Sequence, residues 1–485
     1  MTKEKAMTAV QDQEKLVRKF GWRDKVGYMF GDFGNDFSFI LQAFFFMIFY
    51  TNIIGIKPAH VGTLLLLSRI LDAFTDIGMG RLVDGSKGTK AGRFRPWILR
   101  GAIPVAVAST LMYMPFVGDW ESYGARLGWM IVTYILWGSI TYTFINIPYG
   151  SMASVISDRP ADRSQLSVFR SAGAQLAVLF ILVVMPLIVY VKIGDDSVLD
   201  GQRMMWTAIV MSLFAIIFYL ICYALVRERF SVQPPAKEDR PSFLPMIGSV
   251  LKNRALLGLL VAALLLLVGS LLGNGLTAYV WLEYFNDGSM QSLAGLFGIV
   301  PSFALILLAP WLANKFGKKE VAVVATLISA AALFLAYFLG LQDQPYLFIA
   351  ILSVSGFMLA VFNFLVWAFI VDVIDYHEIT AGQRDDATIY AVYSWARKLG
   401  QALAGGLAGW ALGWIGYEAV QGGEAVQQTD ATIQGIYMLH TLVPGIIYVA
   451  VALALIFLYP LSKKRVDENA AKLAARREAA DTLND

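Results

Sequence analysis

Charge is scarce in this chain of 485 residues: Asp, Glu, Lys and Arg together make up 15%, where a soluble globular domain carries about 25%. That scarcity, with 57% hydrophobic residues and a mean hydropathy of +0.60, excludes an ordinary soluble domain. Cysteine occurs once, at Cys222, which excludes an internal disulfide. Its setting, "FYLICYAL", marks it as a buried apolar thiol. The three histidines, His60, His377 and His440, lie far apart without ligand spacing, so no metal site is expected. No G-x-x-x-x-G-K-[ST] phosphate loop is present, which argues against an ATP-driven pump. No Ser/His or metal constellation supports an enzyme, no cofactor is implied, and nothing points to nucleic acid as a partner. The opening stretch, "MTKEKAMTAVQDQEKLVRKF", lacks a signal-peptide core and reads as a cytosolic tail.

What the chain has instead is apolar runs of about 20 residues, enough to cross a hydrocarbon core of about 30 Å as helices. We place roughly twelve such spans, near 25–52, 60–82, 96–116, 124–152, 165–193, 205–226, 254–284, 291–314, 319–340, 345–376, 386–417 and 431–460. The expected fold class is therefore an all-α membrane protein. Lys and Arg gather on alternate connections. They stand at Lys15, Arg18, Lys19, Arg23 and Lys25, in "GRLVDGSKGTKAGRFRP", around "VRERFSVQPPAKEDRPSFLP", in "NKFGKKE" and in "SKKRVDENAAKLAARRE". The excess of basic residues on cytosolic loops places both termini in the cytosol. The resulting plan is a tail over 1–24, a six-helix half over 25–226, a linker over 227–253, a second six-helix half over 254–460 and a tail over 461–485. The basic turns after the second and eighth spans sit at equivalent places, as an internal repeat would put them. The protein is expected in a cell membrane, by analogy of composition the bacterial inner membrane, working as a monomer in the bilayer.

Charges inside such spans are costly and usually face a cavity or each other. "RILDAFTD" (Arg69–Asp76) carries Asp72 and Asp76 at i, i+4, on one helix face about 6 Å apart along the axis. Counted back from Arg81, they lie ~14 Å and ~7 Å from that end. Two stacked carboxylates near one arginine suit Na⁺, a hard cation that takes oxygen ligands, or a proton shared by like charges. An Arg69–Asp72 pair that only staples the bundle is the structural alternative. Asp32, Asn35 and Asp36 fall in the first span, Arg170 in the fifth, and Arg397 and Lys398 in the eleventh. Asp36 with Arg170 or Lys398 is the pairing this pattern suggests. "TYTFINIPYGS" places Tyr142, Thr143 and Asn146 before Pro148, which frees a carbonyl for an ion or a hydroxyl; a simple kink is the alternative. Trp367 in the tenth span offers a stacking face for a sugar ring. Asp372, Asp375 and Glu378 close that span near Arg384 and read as gate salt bridges or as a solvated acidic cap.

At "RILDAFTDIGMGRLVD", "GRFRPWIL", "NIPYGS" and "DVIDYHEI…RKLGQA" the chain resembles the glycoside–pentoside–hexuronide:cation symporter family of the major facilitator superfamily. The resemblance runs from about Gly27 to Lys464, and "NIPYGS" is closer to the family's glucuronide and sulfosugar carriers. It implies uptake of a sugar or glycoside coupled to Na⁺ or H⁺. It implies that Asp72, Asp76 and Thr143 hold the cation, with Thr75 and Asn146 at neighbouring positions of that pattern. It implies that Asp36 and Arg170 hold sugar hydroxyls and that Lys398 lies between the two sites. Thr75 stands where the melibiose-type pattern has asparagine, Asn146 where it has aspartate, and Gly150 where it has tryptophan. The lost carboxylate at Asn146 tilts the expectation towards H⁺. An uncoupled sugar facilitator and a non-transporting sugar sensor are the rival functions.

Overall fold

A computed structural model describes residues 18–230 apart from 87, 90 and 158, and residues 253–484 apart from 382–385 and 421–425. Helix α1 (Trp22–Asn52) contains no proline and ends at a turn where Gly55 takes φ +76°. Pro58 then opens α2 (Pro58–Gly85), a position where its missing N–H costs nothing. Helix α3 (Arg95–Leu111) follows. Helix α4 (Tyr123–Ile135) is capped by Ser122, whose Oγ accepts from Ala125 N at 3.3 Å. It widens into a π-helical turn (Leu136–Tyr142) and continues as α5 (Thr143–Ile156). Helix α6 (Pro160–Leu179) runs through a second π turn into α7 (Met185–Val189).

The expected fifth span reached 193, but the helix stops at Val189. Strands β1 (Tyr190–Ile193) and β2 (Asp196–Leu199) pair antiparallel, Tyr190 opposite Leu199 and Ile193 opposite Asp196. Gly194 at φ +65° makes the tight connection, and Tyr, Val and Ile favour the extended state. Helix α8 (Gly201–Leu225) starts on Asp200, whose carboxylate accepts from Arg203 N at 2.8 Å.

Helix α9 (Arg254–Tyr279) ends in a π turn. The run expected over 291–314 is broken into α10 (Met290–Ile299), a short 3₁₀ turn and α11 (Leu305–Phe316); Pro301 lies in the break, where its ring and missing N–H interrupt the ladder. Then come α12 (Lys318–Leu339), α13 (Pro345–Ala381), α14 (Asp386–Trp414), α15 (Asp430–His440) and α16 (Leu442–Phe457). The chain closes with α17 (Lys463–Asn484), a polar helix that packs on α13. Among the described residues, nine helical segments are long and apolar enough to cross a membrane. Helix α2 has 28 residues, which is long enough to span, but Arg69, Asp72 and Asp76 interrupt its apolar run.

The chain divides into two compact units. The first comprises Met1–Lys57, Ile70–Pro235 and Ala419–Val426; the second comprises Pro58–Arg69, Ala236–Glu418 and Gln427–Asp485. The first packs around aromatic side chains, with Phe46 edge-on to Tyr134 at 4.9 Å and Phe49 edge-on to Tyr113 at 5.4 Å. Such pairs hold by ring geometry as well as by contact area. The second has a core in which small residues such as Ala262, Ala322 and Ala325 alternate with larger ones such as Phe362, Phe369 and Leu455. Small residues let helices approach closely, the main source of association where lipid is as apolar as leucine.

Within the first unit one glycine sets the height of the charged residues. A Cβ at Gly173 of α6 would collide with the carbonyl oxygen of Met29 and sit 3.2 Å from Phe33 N of α1. Only glycine permits that approach, and it brings Arg170, three residues before Gly173, level with Asp32.

Candidate functional site

Helix α2 presents Asp72 and Asp76, both half-buried, one turn apart. The continuous segment from the π turn into α5 faces them with two hydroxyls at the same spacing. Ser139 Oγ donates to Asp72 Oδ1 at 2.6 Å, and Thr143 Oγ1 donates to Asp76 Oδ1 at 3.1 Å. Each pair is separated by 67 residues, so the two segments run the same way and the contacts form a two-rung ladder. Ser139 is 3% and Thr143 4% exposed, which keeps water from competing for these bonds. Carboxylates and hydroxyls are oxygen donors, the ligand type of hard cations, and carboxylates are also proton acceptors.

The sequence pointed to Asp72, Asp76 and Thr143, and the structure brings these together. Asn146 lies one turn beyond Thr143 on α5, half-buried. The Thr75 hydroxyl donates to the carbonyl of Asp72 at 3.1 Å. A threonine three residues along a helix can always satisfy itself this way, and Thr75 joins its own helix rather than the ladder. Ser139 was missed. Its signal was available, since it precedes Thr143 by the same four residues that separate Asp72 from Asp76.

The second charged group joins α1 and α6. Arg170 pairs with Asp32, Nε to Oδ1 at 2.9 Å, with the Asp32 side chain 6% and that of Arg170 44% exposed. The expected partner was Asp36. It lies one turn further along α1, half-buried, because the Gly173 contact holds Arg170 lower. The Arg170 guanidinium also stands 5.5 Å from the ring of Tyr149, which itself stacks on Tyr28 at 4.6 Å. Tyr142 stacks against Phe39 of α1 at 5.9 Å and lies tilted against Trp137 at 5.4 Å. Phe39 is three residues past Asp36, so an aromatic surface and a carboxylate share that face of α1.

Of the expected gate residues, Asp372 binds Lys318 at the start of α12, Nζ to Oδ1 at 2.6 Å, and the same ammonium donates to Ala368 O at 3.2 Å. Asp375 lies three residues on in α13. Arg384, and the side chains of Lys398 and Trp367, lie outside the described residues. A further charged cluster, not anticipated, closes the first unit where α8 ends. Glu228 accepts from the backbone N–H groups of Arg93, Phe94 and Arg95 at 2.7, 2.8 and 2.7 Å, satisfying the free donors at the start of α3. Fully buried Asp24 pairs with Arg18 and Arg229, each at 2.9 Å.

The sequence profile of the MFS/sugar transport protein family matches residues 27–463. The chain is 30% identical to the "Glucuronide carrier protein homolog" of Escherichia coli (strain K12), over 96% of this chain and 99% of that protein. It is 33% identical to the "Uncharacterized symporter YjmB" of Bacillus subtilis (strain 168), over 95% and 96%. Among solved structures it is similar to the nucleoside transporter NupG, with TM-score 0.57 at 13% identity over 91% of this chain and 99% of that one. It is also similar to a bacterial homologue of the iron transporter ferroportin in the inward-facing state, with TM-score 0.59 at 13% identity over 89% and 98%. At that identity these structures speak for the fold alone.

Proposed function

The chain belongs to the MFS/sugar transport protein family, in its glycoside–pentoside–hexuronide group, and from that premise we propose that it is a cation-coupled symporter carrying a sugar or glycoside into the cell. The family is one of multi-pass membrane transporters, not of enzymes. On this reading the chain has twelve spans with both ends in the cytosol, supported by the basic loops on alternate connections.

The observation that carries the proposal is the ladder of Asp72 with Ser139 and Asp76 with Thr143. Carboxylates within a spanning helix are expensive, and an uncoupled facilitator has no use for two of them on facing rungs. A cation, H⁺ or Na⁺, neutralises this face and lowers the cost of enclosing it. Sugar binds on the adjoining surface of α1 and α5, where Asp36 accepts from hydroxyls and Tyr142 and Phe39 offer ring faces. Trp367 and Lys398 belong to this proposal on sequence grounds, and Asn146 supplies an amide one turn from Thr143. Asp372, Asp375 and Arg384 are assigned to a gate within the second half of the chain. Coupling follows, in a cycle of alternating access, when both ligands favour the same closed state.

Uptake into proteoliposomes tests the reading. Neutral and acidic glycosides are offered with an imposed H⁺ or Na⁺ gradient. Uphill accumulation that collapses with the gradient supports symport. Equilibration alone, with either gradient, replaces it with facilitated diffusion.

A further inference from the structure

At one end of the second unit, exposed apolar side chains meet a cluster of cations. The end of α11 leaves Trp311 54% and Phe316 50% exposed, and the end of α16 leaves Phe457 67% and the following Leu458 40% exposed. The chain turns basic at the same level. Lys315 holds its ammonium over the rings of Trp311 and Phe316, 4.9 and 5.2 Å from their centres. Lys463 Nζ donates to Lys315 O at 2.8 Å, so the start of α17 lies against the end of α11. Arg254 of α9 donates to Phe457 O at 3.1 Å, and Lys319 of α12 donates to Ile456 O at 3.2 Å and Tyr459 O at 2.6 Å. These two cations satisfy carbonyls that the end of α16 leaves without a helical partner. Lys464 and Arg465 follow, both exposed. The acids along the same segments are fewer. Glu320 accepts from Lys463 N at 3.1 Å with one oxygen and buries the other, and Asp467 and Glu468 lie further along α17.

We propose that this end of the second unit binds an anionic phospholipid, its phosphate held by Lys315, Lys464 and Arg465 and its acyl chains lying along Trp311, Phe316, Phe457 and Leu458. The site takes neither sugar nor coupling cation, and it needs only that the chain spans a membrane. Arg254, Lys319 and Lys463 are tied down by their carbonyl bonds and contribute a fixed positive field. Lys315, Lys464 and Arg465 are exposed and able to reach a ligand. Phosphate oxygens are strong acceptors for ammonium and guanidinium groups, and arginine meets them with parallel N–H groups. Helix α17 buries Asn469 and Leu473, one turn apart, and packs on α13, which fixes where Lys464 and Arg465 stand. A lysine lying over an indole ring is the combination found at the headgroup layer, where amphipathic side chains place their charge in water and their body in hydrocarbon. A soluble polyanion would meet the same charge but leave the adjoining aromatic and aliphatic surface uncovered. A phospholipid supplies both halves.

The unfolding temperature of the purified full-length protein in detergent tests this. Phosphatidylglycerol and phosphatidylcholine are titrated in separately at matched mole fractions. The expected result is a rise with phosphatidylglycerol well beyond that with phosphatidylcholine, and the excess shrinks as salt is raised. Lys315→Gln, and Lys464→Gln with Arg465→Gln, change exposed side chains only. Each charge removed should raise the phosphatidylglycerol needed for half the effect about fivefold, the worth of one basic group at an anionic surface. Lys315→Arg, which keeps the charge, should retain the response. Lys472→Gln, two turns along α17 from Arg465, should leave it unchanged. Native mass spectrometry reads occupancy independently of stability: wild type and Lys315→Arg should retain phosphatidylglycerol that the triple glutamine variant loses. Equal rises with both lipids overturn the proposal, as does a loss in Lys472→Gln as large as in Lys464→Gln. A full rise with inorganic phosphate or glycerol 1-phosphate alone also overturns it, because the acyl chains would then contribute nothing.

Discussion

Arg170 reaches Asp32 rather than Asp36, Nε to Oδ1 at 2.9 Å. Asp32 is almost wholly enclosed, whereas Arg170 keeps much of its surface open. The two members of the pair should therefore respond unequally to removal. Arg170→Met strands a buried carboxylate and is expected to cost about 2–3 kcal/mol, below the range for fully buried pairs because Arg170 is partly open. Asp32→Asn leaves an arginine able to rehydrate and is expected to cost about 1 kcal/mol. Thermal unfolding in detergent reads the order directly, and equal losses would contradict the geometry.

Asp36, freed from that pair, is expected to act on the sugar. Asp36→Asn should leave the unfolding temperature near wild type and weaken glycoside binding about tenfold, the value of one charge-assisted hydrogen bond. A binding titration with the best glycoside of the uptake panel checks it. A large stability loss with unchanged binding would assign Asp36 to packing instead.

Thr75 of α2 and Thr143 of α5 both stand at positions of the cation-binding pattern that the resemblance implies, but they differ here in what their hydroxyls touch. Thr75→Ala removes a bond to its own helix carbonyl and should change the half-saturating cation concentration by less than about twofold. Thr143→Ala removes a contact to Asp76 and should raise it about tenfold. Cation-dependent uptake in the two variants, side by side, distinguishes them.

Glu228 holds three backbone donors at the start of α3. Glu228→Ala should lower stability by about 2–3 kcal/mol, the scale of bonds to a charged acceptor. Glu228→Gln, which keeps an oxygen acceptor, should lose less. Unfolding temperatures in that order support the clamp, and wild-type stability in Glu228→Ala would refute it.

Much of this molecule is legible in its sequence because its strongest signals are local. Apolar runs announce the helices, and Asp72 and Asp76 announce a shared face by their spacing alone. Signals that depend on an inserted residue or on a distant contact are not visible in the same way. The π turn at Leu136–Tyr142 has no compositional mark, so the four-residue spacing of Ser139 and Thr143 matches that of Asp72 and Asp76 without fixing which hydroxyl meets which carboxylate. The partner of Arg170 depends on how closely Gly173 approaches α1, which spacing within one helix does not specify. Lys318 and Asp372 meet across 54 residues, and each had a plausible local role. The hairpin at Tyr190–Leu199 was hidden by the hydrophobicity of "VVMPLIVYV", which helix and strand share.

The central claim, that a cation taken up at the Asp72–Asp76 face drives uphill transport, is tested most directly by one comparison in proteoliposomes. Glycoside accumulation under an imposed cation gradient is measured beside exchange of the same glycoside without a gradient, for wild type and Asp76→Asn. Wild type should accumulate and exchange. Asp76→Asn should exchange but no longer accumulate, since a permanently neutral group closes around sugar without a cation. Accumulation by Asp76→Asn to the wild-type level would contradict the account.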